Sequence, residues 1–186
     1  MLRCSIVVAL LCASLTACGK MTDEDLFEQA LHAPSPAERE AAAVQLARRC
    51  EAEMLATPPD RLERFLDESE NVRRLRTLLA ESDTPEVRAA AAAGLGDVRD
   101  YESLPELLDL MESESTVMRM RSGKAVEQIL GAGFGFDPYA AATDRAQSVE
   151  AYRRFYQEAL GPHSPSRELN VRRMGPLGAV SQESKG

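Results

Sequence analysis

From residue 22 to residue 160 the apolar side chains recur three, four and seven positions apart, and no stretch alternates as a half-buried strand would. The pattern predicts an all-α domain. Leu26, Phe27, Ala30 and Leu31 share one side of a first short helix that ends before Pro34. A second helix opens at Ser35-Pro36-Ala37-Glu38, where a capping serine precedes proline at the first helical position and glutamate follows three residues on. Ala43, Leu46, Ala47, Cys50 and Met54 form its apolar stripe, and Pro58-Pro59 breaks it. Helices near 60–68 and 71–81 follow. In the latter Leu75, Leu78 and Leu79 point inward, so Arg73, Arg74 and Arg76 read as its wet face.

The next segment, Thr84-Pro85-Glu86-Val87-Arg88 followed by five alanines and Gly94-Leu95-Gly96, is a helix almost without bulky side chains. Small residues let a neighbouring helix approach closely; Ala91 and Ala92 are expected on the packed side and Arg99 in the open. Leu104, Leu107, Leu108 and Met111 form the next stripe, and a further helix runs from Val117 to Leu130. Superposing the two small-residue helices at an offset of 31 pairs Val87 with Met118, Arg88 with Arg119, Ala91 with Ser122 and Leu95 with Val126. Ser35 to Ala42 matches Thr84 to Ala91 at an offset of 49. Helices recurring at such spacing predict a solenoid, in which each unit buries its face against its neighbours.

The Pro-x-Val-Arg-x-x-Ala pattern and the helix pair after it, over Asp83 to Gly131, resemble the HEAT-repeat family, in particular the short HEAT-like repeats also found in phycobilisome chromophore lyases. The resemblance implies an α-α superhelix over 22–160, a short HEAT-like helical-repeat solenoid. It also implies that the recurring arginine, here Arg39, Arg88 and Arg119, bonds neighbouring turns, with Arg88 reaching a carboxylate such as Asp83 or Asp97. The resembling positions are scaffold positions and bring no enzymatic chemistry with them.

A different texture follows. Gly131 to Tyr139 interrupts the helices, and 144–160 resumes one carrying Val149, Tyr152, Phe155 and Tyr156. Six of the nine aromatic residues lie between 134 and 156, which makes 132–160 the segment with two readings. In one, Phe134, Phe136 and Tyr139 fold over the open end of the solenoid with Tyr152 and Tyr156 and seal it, as terminal repeats must be sealed. In the other, some of these rings stay exposed and anchor a partner. Residues 161–186 are rich in Gly, Pro and Ser and too poor in apolar residues for a core, so a disordered tail is expected.

The N-terminus changes the picture of where the domain works. Arg3 precedes an apolar run from Cys4 to Leu15, too short to span a bilayer, and small residues close it. Leu15-Thr16-Ala17-Cys18 resembles the lipobox of bacterial lipoproteins. The resemblance implies cleavage of residues 1–17 between Ala17 and Cys18, lipid on Cys18, and a tether over 18–21. Gly19 is not the aspartate that retains such proteins at the inner membrane of double-membrane bacteria, so the outer membrane is preferred. After cleavage Cys50 is the one cysteine besides Cys18, which leaves no disulfide framework within one chain. On an apolar stripe it reads as a small buried hydrophobe.

Charge and chemistry narrow the function. Residues 18–160 hold 17 Lys+Arg against 28 Asp+Glu, whereas 161–186 hold four against two. An acidic body argues against nucleic acid, whose phosphates need clustered cations. His32 and His163 have no second histidine or cysteine at ligand spacing, which argues against a metal. Gly131, Gly133 and Gly135 follow a helix and lack the Gly-Lys-Ser/Thr ending of a phosphate loop. No catalytic constellation and no cofactor site stands out. The expected role is a membrane-anchored scaffold or assembly factor that binds an envelope protein; a chromophore-lyase-like or other accessory enzyme and a purely structural envelope lipoprotein are the alternatives.

Overall fold

Thr22 opens the first helix with a reciprocal cap. Its hydroxyl accepts the Asp25 amide at 3.1 Å, and the Asp25 carboxylate accepts the Thr22 amide at 2.9 Å. The computed structural model describes residues 21–159. It shows α1 (Asp23–His32), α2 (Pro36–Ala56), α3 (Leu62–Glu68), α4 (Glu70–Glu81), α5 (Pro85–Asp97), α6 (Leu104–Leu110), α7 (Thr116–Leu130) and α8 (Ala142–Ala159), with no strand among the described residues. Ser69 and Ser115 cap α4 and α7 through their hydroxyls. Ser35 does not cap α2 as expected. With Pro36 fixing the first helical residue, the start is held by the Arg39 amide on the Ser35 carbonyl at 3.0 Å.

The helices form two layers. α2, α5 and α7 lie side by side in one layer, while α1, α4, α6 and α8 cover them from the other. These three layer-mates are the helices that the 31- and 49-residue offsets superpose. The protein is therefore an all-α helical-repeat solenoid, an α-α superhelix. The longer offset arises because α2 runs on to Ala56 and a Pro58-Pro59 turn leads into α3 before α4 begins.

Close approach holds the layer together. A Cβ on Gly96 would stand 2.7 Å from the Ala125 Cα of α7, and one on Gly94 would stand 2.7 Å from the Ala47 Cβ of α2. Ala91, Ala92 and Leu95 are fully buried between these neighbours, with Leu75, Leu78 and Leu79 of α4 beneath. Each such leucine contributes about 1.5–3 kcal/mol by burial. Cys50 is buried in the same core, and its thiol is pushed up to about 12 by burial first and then by the carboxylates of Glu53, Asp100 and Asp23.

Two sequence expectations change here. Arg99 is not a simple exposed residue: it sits half-buried at φ 56, the left-handed position that turns the chain after α5. That turn drives Asp100 into the interior. The Arg73–Arg76 run is also not uniformly wet. Arg73 does lie outside with Glu70, but Arg74 bonds Glu24 of α1, and Arg76 grips the fully buried Asp100 at 2.9 and 2.5 Å. A helix inside a layer has a neighbour on each flank, so only part of its polar face meets water.

Candidate functional site

The C-terminal end of the solenoid is built from the turn after α7. Gly131 adopts φ 65, and its amide bonds the Glu127 carbonyl at 2.9 Å, a left-handed stop that reverses the chain. The chain then returns along the flank of α7 opposite to Ala125. There the Phe136 ring lies on Gly123, where a Cβ would stand 2.8 Å from it and 3.8 Å from Met111, the residue just after α6. The Pro138 carbonyl accepts Arg119 Nε at 2.8 Å. This loop takes the place beside α7 that a further helix of the layer would fill.

α8 closes the other layer. Val149 and Tyr152 are buried in it. The Tyr152 hydroxyl donates to Glu127 at 2.9 Å and accepts the Phe134 amide at 3.0 Å. Burial pushes this phenol up to about 12, and the Glu127 carboxylate adds to the rise. Phe134 meets Tyr152 edge-on at 4.8 Å and Phe155 at 5.2 Å, and Tyr156 is half-buried behind them. Arg153 ties α8 to Asp109 and Glu112 at 2.7 and 3.1 Å.

The five aromatic candidates thus divide. Phe136, Tyr152 and Tyr156 pack inward, and Phe134 packs with one face while remaining 36% exposed. Tyr139 is 71% exposed. Asp137 holds its amide at 2.8 Å, and its hydroxyl donates to the Met120 sulfur at 3.2 Å. Val117 and Met120 on α7 are 46% and 38% exposed. Tyr139 is legible in the sequence, whereas Val117 and Met120 are not, because both sit in a helix whose pattern reads as buried.

The recurring arginines bond successive turns by different means. Arg39 of α2 reaches Asp83, just before α5, at 2.9 Å. Arg88 of α5 donates to the Leu79 carbonyl at 2.7 Å and pairs with Glu106 of α6 at 3.7 Å. The carboxylate it meets is therefore Glu106, not Asp83 or Asp97: Asp83 is taken by Arg39, and Asp97 accepts Gln128 at 2.8 Å. Burial raises the Glu106 carboxyl and Asp109 adds to this, against the opposing pull of Arg88. Arg119 of α7 spends its guanidinium on the carbonyls of Ser113, Glu114 and Pro138, all at 2.8 Å.

At the opposite end a cleft of about 270 Å³ is lined by Asp23, Arg49, Glu53, Glu70, Asn71 and Arg74. No local spacing announces it, since its partners lie on α1, α2 and α4. Asp23 accepts Arg49 at 2.6 Å and Asn71 at 2.9 Å, and these bonds hold its carboxyl below the usual range. Asn71 also donates to Glu53 at 3.2 Å, and Arg74 donates to the Asn71 side-chain oxygen at 3.3 Å. Each charge is engaged, Asp23 by Arg49, Arg74 by Glu24, Glu70 by Arg73 and Glu53 by Asn71, so the cleft works as a polar joint among three helices.

Among the described residues no group of three or more His, Cys, Asp and Glu side chains is placed to hold a metal ion. No described helix is long and apolar enough to cross a membrane. The lipobox residues, Ala17 and Cys18 included, and the expected tail over 161–186 lie outside the described residues.

A family model of HEAT repeats matches residues 72–154, from α4 into α8. No curated protein and no solved structure matches the chain.

Proposed function

We propose that this protein is a non-enzymatic scaffold of HEAT-like repeats, held at a bacterial membrane by lipid on Cys18, that binds a protein partner in the cell envelope. One observation carries the binding role. Of the six large apolar side chains exposed among the described residues, four, Val117, Met120, Phe134 and Tyr139, gather at the C-terminal end of the solenoid. A soluble face with no partner rarely concentrates such side chains. The arginines at the repeat positions are engaged in internal bonds, which suits a rigid frame presenting a surface better than a site performing chemistry.

The tether gives the frame its place. The Thr22 cap lies four positions after Cys18, a reach of about 14 Å at ~3.6 Å per residue. The N-terminal end would sit close to the lipid, with the outer membrane as the preferred address. Because two or more acyl chains anchor stably where one does not, Cys18→Ser should release the chain or leave it uncleaved. Crosslinking the lipidated protein in its native envelope should give a discrete adduct with another protein. Self-adducts alone, together with membrane retention of Cys18→Ser after a high-salt wash, would overturn the proposal.

A further inference from the structure

We propose that the outer stripe of α7, together with Tyr139, docks a partner segment that carries an apolar anchor flanked by carboxylates. The proposal rests on the scaffold reading and names its surface and the chemistry of its partner. Val117, Met120, Arg121 and Lys124 recur at three, four and seven positions and therefore share one face of the helix. At 1.5 Å per residue the stripe extends about 10 Å. Tyr139 reaches onto it from the returning loop through its bond to the Met120 sulfur.

The charges around this apolar patch select its occupant. The body of the chain is acidic, with 28 Asp+Glu against 17 Lys+Arg over 18–160. Eight of its fifteen arginines, Arg39, Arg49, Arg64, Arg73, Arg74, Arg76, Arg88 and Arg153, pair with carboxylates. Arg121 and Lys124 are both exposed and pair with no carboxylate among the described residues. Asp137, the carboxylate beside Tyr139, is turned back onto the Tyr139 amide. Two uncompensated cations next to tyrosine, methionine and valine fit an acidic segment with one buried apolar side chain.

Other occupants fit less well. Residues 161–186 carry four cations against two carboxylates, the same sign as this face. Anionic lipid is recognised by clusters of about 4–8 cations, whereas this stripe offers Arg121 and Lys124 alone. A second copy brings the same acidic body, so long-range repulsion opposes it.

Short random peptides displayed on phage and selected against the full chain test the proposal. The expected enrichment is of aromatic or aliphatic residues flanked by Asp and Glu. A synthetic consensus peptide should bind less tightly as salt rises. It should weaken roughly tenfold or more with Tyr139→Ala, the scale of a lost anchor, and likewise with the pair Arg121→Glu and Lys124→Glu. Glu40→Lys, on the distant α2, should leave binding unchanged, and all variants should keep the helical spectrum and melting temperature. Enrichment of basic or uncharged peptides, equal binding to the variants, or no enrichment overturns the proposal. So does binding to anionic vesicles, or a dimer in sedimentation, that Tyr139→Ala abolishes. If native-envelope crosslinking still captures a protein with these variants, the scaffold reading stands and this surface falls.

Discussion

Asp97 accepts a hydrogen bond from Gln128 at 2.8 Å across 31 residues, and that separation is the offset at which α5 and α7 superpose. Residues at the same register of successive repeats are therefore bonded to each other. The register is locked by backbone proximity as well, since Gly96 leaves no room for a side chain against Ala125. In an ordinary helix Gly→Ala stabilises by up to about 1 kcal/mol. Here Gly96→Ala should instead destabilise by about 1–3 kcal/mol through overpacking. Chemical denaturation reads the sign directly: a neutral or stabilising change would mean that α5 and α7 are not in close register.

Arg76 and Asp100 form a largely buried pair, joined by the Ser103 hydroxyl on the same carboxylate. Removing the cation alone leaves a buried carboxylate uncompensated. Arg76→Met should cost roughly 3 kcal/mol or more, and the double change Arg76→Met with Asp100→Leu should recover much of that loss. Arg73→Met on the exposed side of the same helix should change stability by less than about 0.5 kcal/mol. Equal small effects at Arg73 and Arg76 would restore the reading of the run as a wet face.

The boundaries of the helices and the equivalence of α2, α5 and α7 were legible because both depend on local signals: proline at the starts of α2 and α5, apolar spacing, and the arginine that recurs as Arg39, Arg88 and Arg119. Arg74, Arg76 and Arg99 were misread because their surroundings come from elsewhere in the chain. A periodic pattern tells which face of α4 is apolar but not that α1 and the turn at Arg99 cover its flanks. The polar joint around Asn71 was invisible for the same reason, its partners lying 18 and 48 residues away. At the C-terminal end the aromatic composition marked the right segment. It could not say which rings turn inward, because that depends on Gly123 opening a seat for Phe136.

The division among the aromatics predicts opposite behaviour for neighbouring substitutions. Tyr152→Phe removes the hydroxyl that joins Glu127 to the Phe134 amide and should cost about 1–3 kcal/mol. Phe136→Ala should also lower the melting temperature, by emptying the seat over Gly123. Tyr139→Ala should leave it within the range of surface changes, about 0.5 kcal/mol. A large loss of stability on Tyr139→Ala would make that ring part of the cap.

Asp23 gives the polar joint a pH dependence. Its carboxyl lies below the ordinary value of 3.8 because Arg49, then Asn71, bond the ionised form. A depressed folded pKa contributes stability above the unfolded value, and that contribution is lost as pH falls through the folded value. The gap between wild type and Asp23→Asn should thus be present at neutral pH and close in acid below 3.8. The pair is part-exposed, so the gap should be no more than about 1 kcal/mol and should shrink in salt. A gap that widens on acidification would contradict this assignment.

The central claim is that a lipid-tethered solenoid holds a partner at its C-terminal end. A photoreactive residue placed at position 139 of the full-length protein in living cells tests it most directly, with the same residue at position 40 on α2 as reference. The account predicts a discrete heteromeric adduct from position 139, none from position 40, and loss of the adduct when Cys18→Ser releases the tether. Adducts of equal yield from both positions, or none from position 139 while the protein remains folded and membrane-bound, would contradict it.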